Sequence, residues 1–340
     1  MTEALPVLWF VLIGVLWAGY LFLEGFDLGV GMLMKLMARN DTQRRVLLNT
    51  VGPVWDGNEV WLVTAIGATF AAFPHWYASL LSALYLPFLL VLLGLIFRAV
   101  AFEWRGKRDS DIWRTRWDWA IAVGSFVAAA GIGAALALTT TGLPLDANGN
   151  RVGGAFAWAT LPALVGASAV VLFSLVHAAA FVALKTDGGV RQQADRLLRR
   201  LLPVAMLPFL GWALIVQFDT GTVVTWLIVV IAVVALIASH RSAVAGRDGR
   251  AFAALGAAML ALMGSIFAAA FPVVLPSTLD AAFDLTVQNA SSSPYTLGLM
   301  SVIACFGLPL VLAYQAWTYW VFRQRVSEAS IPAAHAVQAL

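Results

Sequence analysis

Charged residues are scarce in this chain. Only 11% of its 340 residues are Asp, Glu, Lys or Arg, whereas a soluble globular domain carries about 25%. Apolar residues make up 61%, and the mean hydropathy is +0.85. Long apolar runs recur along the chain, and each can cross the roughly 30 Å hydrocarbon core of a bilayer. The composition therefore excludes a soluble protein and predicts a polytopic membrane protein.

Cysteine and histidine are also few. The single Cys305 excludes an intrachain disulfide and a cysteine-based metal site. Of the four histidines, only His177 lies within an apolar run. A bis-histidine haem needs two facing imidazoles, so His177 is either a haem ligand paired with a methionine or a packed, hydrogen-bonded core residue. No phosphate loop or nucleotide-binding fingerprint is present, and we expect no nucleic-acid partner.

The apolar runs do not alternate with polar residues, which predicts an all-α fold of about nine transmembrane helices. The predicted spans are residues 7–34, 46–73, 76–98, 117–140, 156–184, 201–218, 222–239, 251–275 and 296–322. We expect one membrane domain containing two four-helix bundles, at residues 1–140 and 156–275. The ninth helix, at residues 296–322, and a cytoplasmic tail at 323–340 would follow them.

Basic residues are concentrated in alternate connections between these helices. Of the 21 Lys and Arg residues, only Arg151 lies in the opposite set of connections. Cytoplasmic loops of membrane proteins carry such an excess of basic residues. The sequence therefore predicts an outer N-terminus and a cytoplasmic C-terminus.

Four carboxylates lie within the first two predicted spans. They are Glu24, Asp27, Asp56 and Glu59. Each pair is spaced i, i+3, which predicts a shared helix face. A charge at the centre of a span costs about 2.5–3.5 kcal/mol on insertion scales, so such residues are functional candidates by default.

The depth of these carboxylates suggests what they do. At 1.5 Å per residue, Asp27 and Asp56 lie about 30 Å and about 25 Å below the outer ends of their spans, in the cytoplasmic third. Arg98, at the inner end of the third span, can neutralise one carboxylate there. One interpretation is a proton entry from the cytoplasm. The alternative is a capping and ion-pair network, in which Glu24 and Glu59 are the more typical members.

Several motifs, in fixed order along the chain, resemble subunit II of cytochrome bd-type quinol oxidases. The first is Gly-Phe-Asp-Leu-Gly-Val-Gly at residues 25–31, and the second-helix signature is Gly-Pro-Val-Trp-Asp-Gly-Asn-Glu-Val-Trp-Leu at 52–62. The others lie at residues 39–45, 97–103, 116–119, 124–126, 271–277 and 316–320. The resemblance covers essentially the whole chain.

The resemblance implies a subunit of a terminal respiratory oxidase in the bacterial plasma membrane, which oxidises quinol and reduces dioxygen to water with cytoplasmic protons. Two b-type haems, haem d and the quinol site would belong to subunit I, so no haem or metal is expected in this chain. The implied partners are subunit I, membrane lipids and small single-helix accessory subunits. A structural quinone or a lipid could fill grooves on this subunit.

Residue by residue, the resemblance implies that Asp56 is the central carboxylate of a proton path. Asp27 and Arg98 correspond to polar positions of the same region. Trp61 corresponds to a tryptophan beside the oxygen route, and Trp55 to the aromatic neighbour of Asp56.

One position departs from the family pattern, because Glu59 stands where some members carry Gln. A fixed charge there is therefore not essential to the family's chemistry. Two other functions remain open from the residues alone. A proton-coupled secondary transporter would suit the internal repeat and the intramembrane carboxylates, and a structural scaffold would need no titrating group.

Overall fold

A computed structural model describes residues 4–331. The last part of the predicted tail, residues 332–340 with His335, lies outside the described residues, as do residues 1–3. The described part is mostly helical. Its α-helices are α1 (Ala4–Leu36), α2 (Asp41–Val51), α3 (Trp55–Ala72), α4 (Pro74–Ala83), α5 (Tyr85–Trp104), α6 (Asp111–Thr141), α7 (Leu161–Lys185), α8 (Gly188–Ala205), α9 (Leu207–Thr220), α10 (Val223–Val244), α11 (Asp248–Ala270) and α12 (Pro294–Val321).

Eight helical segments within residues 4–331 are long and apolar enough to cross a membrane. They are α1, α5, α6, α7, the α8–α9 pair, α10, α11 and α12. Helix α3 is 18 residues long, but it is not among these eight segments. Asp56, Asn58 and Glu59 make its first turns polar. The all-α membrane fold is confirmed, whereas the count of nine spans and the membrane orientation stay predictions.

Proline explains why three predicted spans are each divided into two helices. Proline lacks an N–H, and its ring clashes with the carbonyl of residue i−4. Pro53 separates α2 from α3. Pro87 lies four residues after Ala83, where α4 ends, and Pro208 lies just after the α8–α9 break.

Two predicted spans extend five residues beyond the helices that the structure shows. The span predicted at 156–184 begins as α7 only at Leu161, because the Thr160 side chain caps the helix by accepting from the Ala163 N–H. The span predicted at 251–275 ends as α11 at Ala270. Residues after it form a short antiparallel pair, β1 (Val273–Leu275) with β2 (Leu285–Thr286).

Helix α1 lies at the centre and packs against α3, α6, α7 and α11. Glycine permits its closest approach to α7, because a Cβ on Gly29 would collide with the Ser174 carbonyl oxygen. By contrast, α12 is peripheral, and Leu297 is its one buried residue. Since α1 and α6 both pack on α7, the two proposed four-helix bundles share an extensive contact, and their division stays a prediction.

Candidate functional site

Arg98 of α5 lies in the protein interior with two carboxylates. Its side chain is 0% exposed, and its Nη1 lies 2.8 Å from Glu24 Oε1 and 3.1 Å from Glu59 Oε2. Glu24 is also fully buried, whereas the Glu59 side chain is 19% exposed. Helices α1, α3 and α5 therefore meet at one ion-pair cluster, which we call the Arg98 cluster and define as Glu24, Asp27, Glu59 and Arg98.

Asp27, one helical turn below Glu24, is held by an amide from α3. Asn58 Nδ2 donates to Asp27 Oδ2 at 2.6 Å and to the Leu23 carbonyl oxygen at 3.3 Å. Asn58 Oδ1 accepts from Gln315 Nε2 at 2.7 Å and from the Tyr319 hydroxyl at 2.9 Å. The amide therefore has partners for all its donors and acceptors, which fixes it as a donor to Asp27 and links α12 to the cluster.

Asp56 does not join the Arg98 cluster. Its side chain is exposed on the surface of the isolated chain. The other exposed residues of α3 continue from it at helical spacing, with Val60 53%, Val63 69% and Phe70 57% exposed. The i, i+3 spacing therefore places Glu24 and Asp27 together in the interior, but only Glu59 of the second pair reaches Arg98.

The two tryptophans of α3 contact different helices, Trp55 on α5 and Trp61 on α1. Trp55 stacks on Phe102 with ring centroids 5.1 Å apart, and the Arg98 guanidinium lies 5.9 Å and 5.2 Å from their two centroids. Trp61 is buried against α1, where a Cβ on Gly19 would lie 2.5 Å from Trp61 Cζ3. Trp55 is thus a neighbour of Arg98 as much as of Asp56.

A second ion-pair network lies at the ends of α2, α5 and α6. Arg105 Nε donates to Asp118 Oδ1 at 2.6 Å, and its Nη2 donates to Asp41 Oδ1. Arg44 Nε lies 3.6 Å from Asp118 Oδ2. Burial lowers the pKa of Arg105, but the hydrogen bonds and charges of Asp118 and Asp41 outweigh it and raise that pKa overall. This network fastens the three helices at one end.

His177 is fully buried between aromatic rings. Its imidazole stacks on Phe173 and Phe252, with centroids 4.8 Å and 4.7 Å away. Its Nε2 lies 3.0 Å from the Phe22 carbonyl oxygen. Of the two alternatives, this packing and hydrogen bonding favour the core residue, although Nδ1 is buried with no hydrogen-bond partner among the described residues. Within residues 4–331, no group of three or more His, Cys, Asp or Glu could hold a metal ion.

The sequence alone did not identify Asn58, Gln315, Tyr319 or Asp118 as site residues. Asn58 did carry a signal, because a neutral amide between two carboxylates in a membrane span needs a partner. Gln315 and Tyr319 lie more than 250 residues away along the chain, and nothing in the sequence pairs them with Asn58. Asp118 follows the basic loop before α6, where a carboxylate is unremarkable.

Comparisons with known proteins agree over nearly the whole chain. Residues 5–322 match the family described as cytochrome bd terminal oxidase subunit II. The chain is 40% identical over 326 residues to cytochrome bd ubiquinol oxidase subunit 2 of Bacillus subtilis, covering 94% of this chain and 96% of that protein. It is 31% identical over 368 residues to cytochrome bd-I ubiquinol oxidase subunit 2 of Escherichia coli, covering 97% of each.

The fold is similar to a chain of the solved bd oxidase from Geobacillus thermodenitrificans. The TM-score is 0.74 at 19% sequence identity, covering 94% of this chain and 98% of that one. At that identity the likeness concerns the fold. It agrees with the sequence matches, which cover the same extent of the chain.

Proposed function

Since the chain belongs to the family of cytochrome bd terminal oxidase subunit II, we propose that it delivers cytoplasmic protons to a quinol-oxidising, dioxygen-reducing complex. The haems and the quinol site of this complex would lie on subunit I, in the plasma membrane of a bacterium. Reduction of one dioxygen to two waters consumes four electrons and four protons. If quinol releases its protons outside and these four come from inside, charge is separated without pumping.

The observation that carries the proposal is the charge imbalance of the Arg98 cluster. One buried guanidinium pairs with Glu24 and Glu59, and Asp27 adds a third carboxylate one helical turn from Glu24. The Glu24 and Asp27 side chains are fully buried. Uncompensated charge is costly in such surroundings, so the cluster must hold protons. A group of carboxylates that shares a variable number of protons can accept one and pass it on.

Buried polar atoms without partners support internal water at the cluster. Within the described residues, Asp27 Oδ1, Arg98 Nε and the Tyr20 hydroxyl are buried and have no hydrogen-bond partner. Buried polar groups in native proteins are nearly always hydrogen-bonded to protein or to ordered water. Water molecules hydrogen-bonded to these atoms would bridge the polar groups of α1 and α5, and protons would move along them.

Asp56 would receive protons where this chain meets subunit I. A carboxylate facing lipid is unfavourable. The exposed stripe of α3 carries Asp56 at one end and mostly apolar residues, such as Val60, Val63 and Phe70, along the rest. A partner covering that stripe would enclose Asp56 and supply it with polar neighbours. Asp56 would then act at the interface, with the Arg98 cluster behind it in the interior.

We assign Trp61 to the side of an oxygen route. Its buried ring packs against Gly19 of α1, at the α1–α3 contact. An apolar lining favours dioxygen over water, because water there would lose its hydrogen bonds. Trp55 supports the site by stacking beside Arg98.

The test is quinol-dependent oxygen uptake by the purified, intact complex carrying Asp56→Asn. We expect a loss of turnover of about 10²-fold, the lower range for removal of a proton-transfer group, with both subunits and all haems retained. Asp219→Asn is the matched control, because Asp219 is also an exposed carboxylate but lies on another helix, at the end of α9. Near-normal turnover of the Asp56→Asn complex would refute the role of Asp56.

The partner assignment has its own test. Purification in mild detergent should yield this chain with a second large membrane subunit and the absorption band of haem d. A colourless, solitary chain that carries out proton-coupled transport would instead favour the transporter. Neutralisation of every intramembrane carboxylate without a kinetic effect would favour the scaffold.

A further inference from the structure

A large cavity lies beside the inner half of α1, separate from the Arg98 cluster. Its volume is about 740 Å³, within the range of about 300–1,000 Å³ typical of ligand pockets. The rings of Phe22, Phe26, Phe181 and Phe252 line it. The ends of α2, α7 and α12, the turn between α2 and α3, and the segment that follows α12 also contribute to its wall. The interior is therefore suited to an apolar chain rather than to a polar solute.

The rim of the cavity is cationic. Lys185, Arg323 and Arg325 line it, and none of the described residues around it is Asp or Glu. Lys185 Nζ donates to the carbonyl oxygens of Phe322 and Gln324, which leaves one of the three ammonium N–H groups available.

The other two rim cations differ in their partners. Arg323 Nη1 donates to the Trp320 carbonyl oxygen at 2.6 Å, and no carboxylate within residues 4–331 pairs with it. Arg325, in contrast, lies 2.7 Å from Asp187 Oδ1. The Arg323 guanidinium also lies 4.5 Å from the centroid of the Trp320 ring. Among the described residues, Lys185 and Arg323 are thus the rim cations without a carboxylate partner, and each can bind an anion.

We propose that this cavity binds an anionic phospholipid, with an acyl chain among the phenylalanine rings and the phosphate at Lys185 and Arg323. Basic pockets between transmembrane helices on the cytoplasmic side bind anionic lipid head groups, and the predicted topology puts this rim on that side. A neutral quinone would leave both cations without a counter-charge. The observations that support this site do not rest on the proposed proton path.

The occupant would also contact the site indirectly. Tyr319 lines the cavity, and its hydroxyl donates to Asn58 Oδ1 at 2.9 Å. A bound acyl chain would hold the Tyr319 ring against α3 and so keep the Asn58 amide in place. The lipid would therefore stabilise the position of α12, which has little other buried surface.

The test is native mass spectrometry of the delipidated, intact complex, titrated with dioleoyl phosphatidylglycerol or with dioleoyl phosphatidylcholine. We expect one site that prefers phosphatidylglycerol. Arg323→Gln should weaken this site about fivefold, the effect of one cation near an anionic head group. Val321→Trp, which narrows the cavity and keeps every charge, should abolish the site. Arg200→Gln, an exposed cation elsewhere, should change nothing.

Three results would overturn the proposal. The first is equal binding of the two lipids by the unaltered complex. The second is unchanged phosphatidylglycerol binding in both the Arg323→Gln and Val321→Trp complexes while their haem spectra remain normal. The third is a co-purified neutral quinone that Val321→Trp removes and Arg323→Gln leaves in place.

Discussion

Replacing Arg98 with alanine should destabilise the complex strongly. The guanidinium is fully buried and contacts Glu24 at 2.8 Å and Glu59 at 3.1 Å. Its removal leaves the buried Glu24 carboxylate without a counter-charge, and breaking a buried pair in this way costs about 3–5 kcal/mol. Part of that cost is avoided if Glu24 takes up a proton. This would increase the number of protons that the Arg98 cluster holds.

The assay is the yield of assembled complex and the temperature at which its haem spectrum is lost in mild detergent. Arg114→Ala is the control, because Arg114 also contacts two carboxylates. Those carboxylates, Asp109 and Asp111, have side chains that are 68% and 95% exposed. Exposed ion pairs contribute about 0–1 kcal/mol, so this variant should resemble the unaltered protein.

A second substitution separates charge from packing. In Arg98→Met with Glu24→Gln, both members of the buried pair become neutral and keep similar length. This double variant should recover much of the stability lost by Arg98→Ala, while turnover stays low. If Arg98→Ala is as stable as Arg114→Ala, or if the double variant is no better than Arg98→Ala, the ion-pair reasoning is refuted.

Two further predictions concern helix packing and the amide that holds Asp27. Gly29→Ala should cost about 1–3 kcal/mol by overpacking against the Ser174 carbonyl. Gly264→Ala, with nothing within 4 Å of its Cβ position, should not lower complex yield. Equal yields of the two variants would contradict the α1–α7 contact. Tyr319→Phe removes the hydrogen bond to Asn58, worth about 1 kcal/mol, and should slow oxygen uptake severalfold. Tyr314→Phe, on the exposed side of α12, should not slow it. Equal rates of oxygen uptake would exclude a role for the Tyr319–Asn58 hydrogen bond.

The sequence identified the buried charges because cost and spacing are local properties. Glu24 and Asp27 are three residues apart on one long helix, so they share a helix face and are buried together. The count of basic residues in the loops placed Arg98 at their level. These arguments needed no knowledge of which helices touch.

The outward position of Asp56 could not be predicted in the same way. Helical spacing fixes the angle between Asp56 and Glu59, but the rotation of α3 against α1 and α5 decides which of them faces inward. That rotation depends on packing details such as the Trp61 ring against Gly19. The partners of Asn58 were equally hidden, because they come from α12 at the far end of the chain.

The central claim is that protons reach the complex from the cytoplasm through this chain, by way of Asp56. It is tested most directly by following proton uptake with a pH-indicator dye after the fully reduced complex is mixed with dioxygen. The unaltered and Asp219→Asn complexes should take up protons at the same rate. Uptake by the Asp56→Asn complex should be slower by about 10²-fold, and uptake at the unaltered rate would contradict the account.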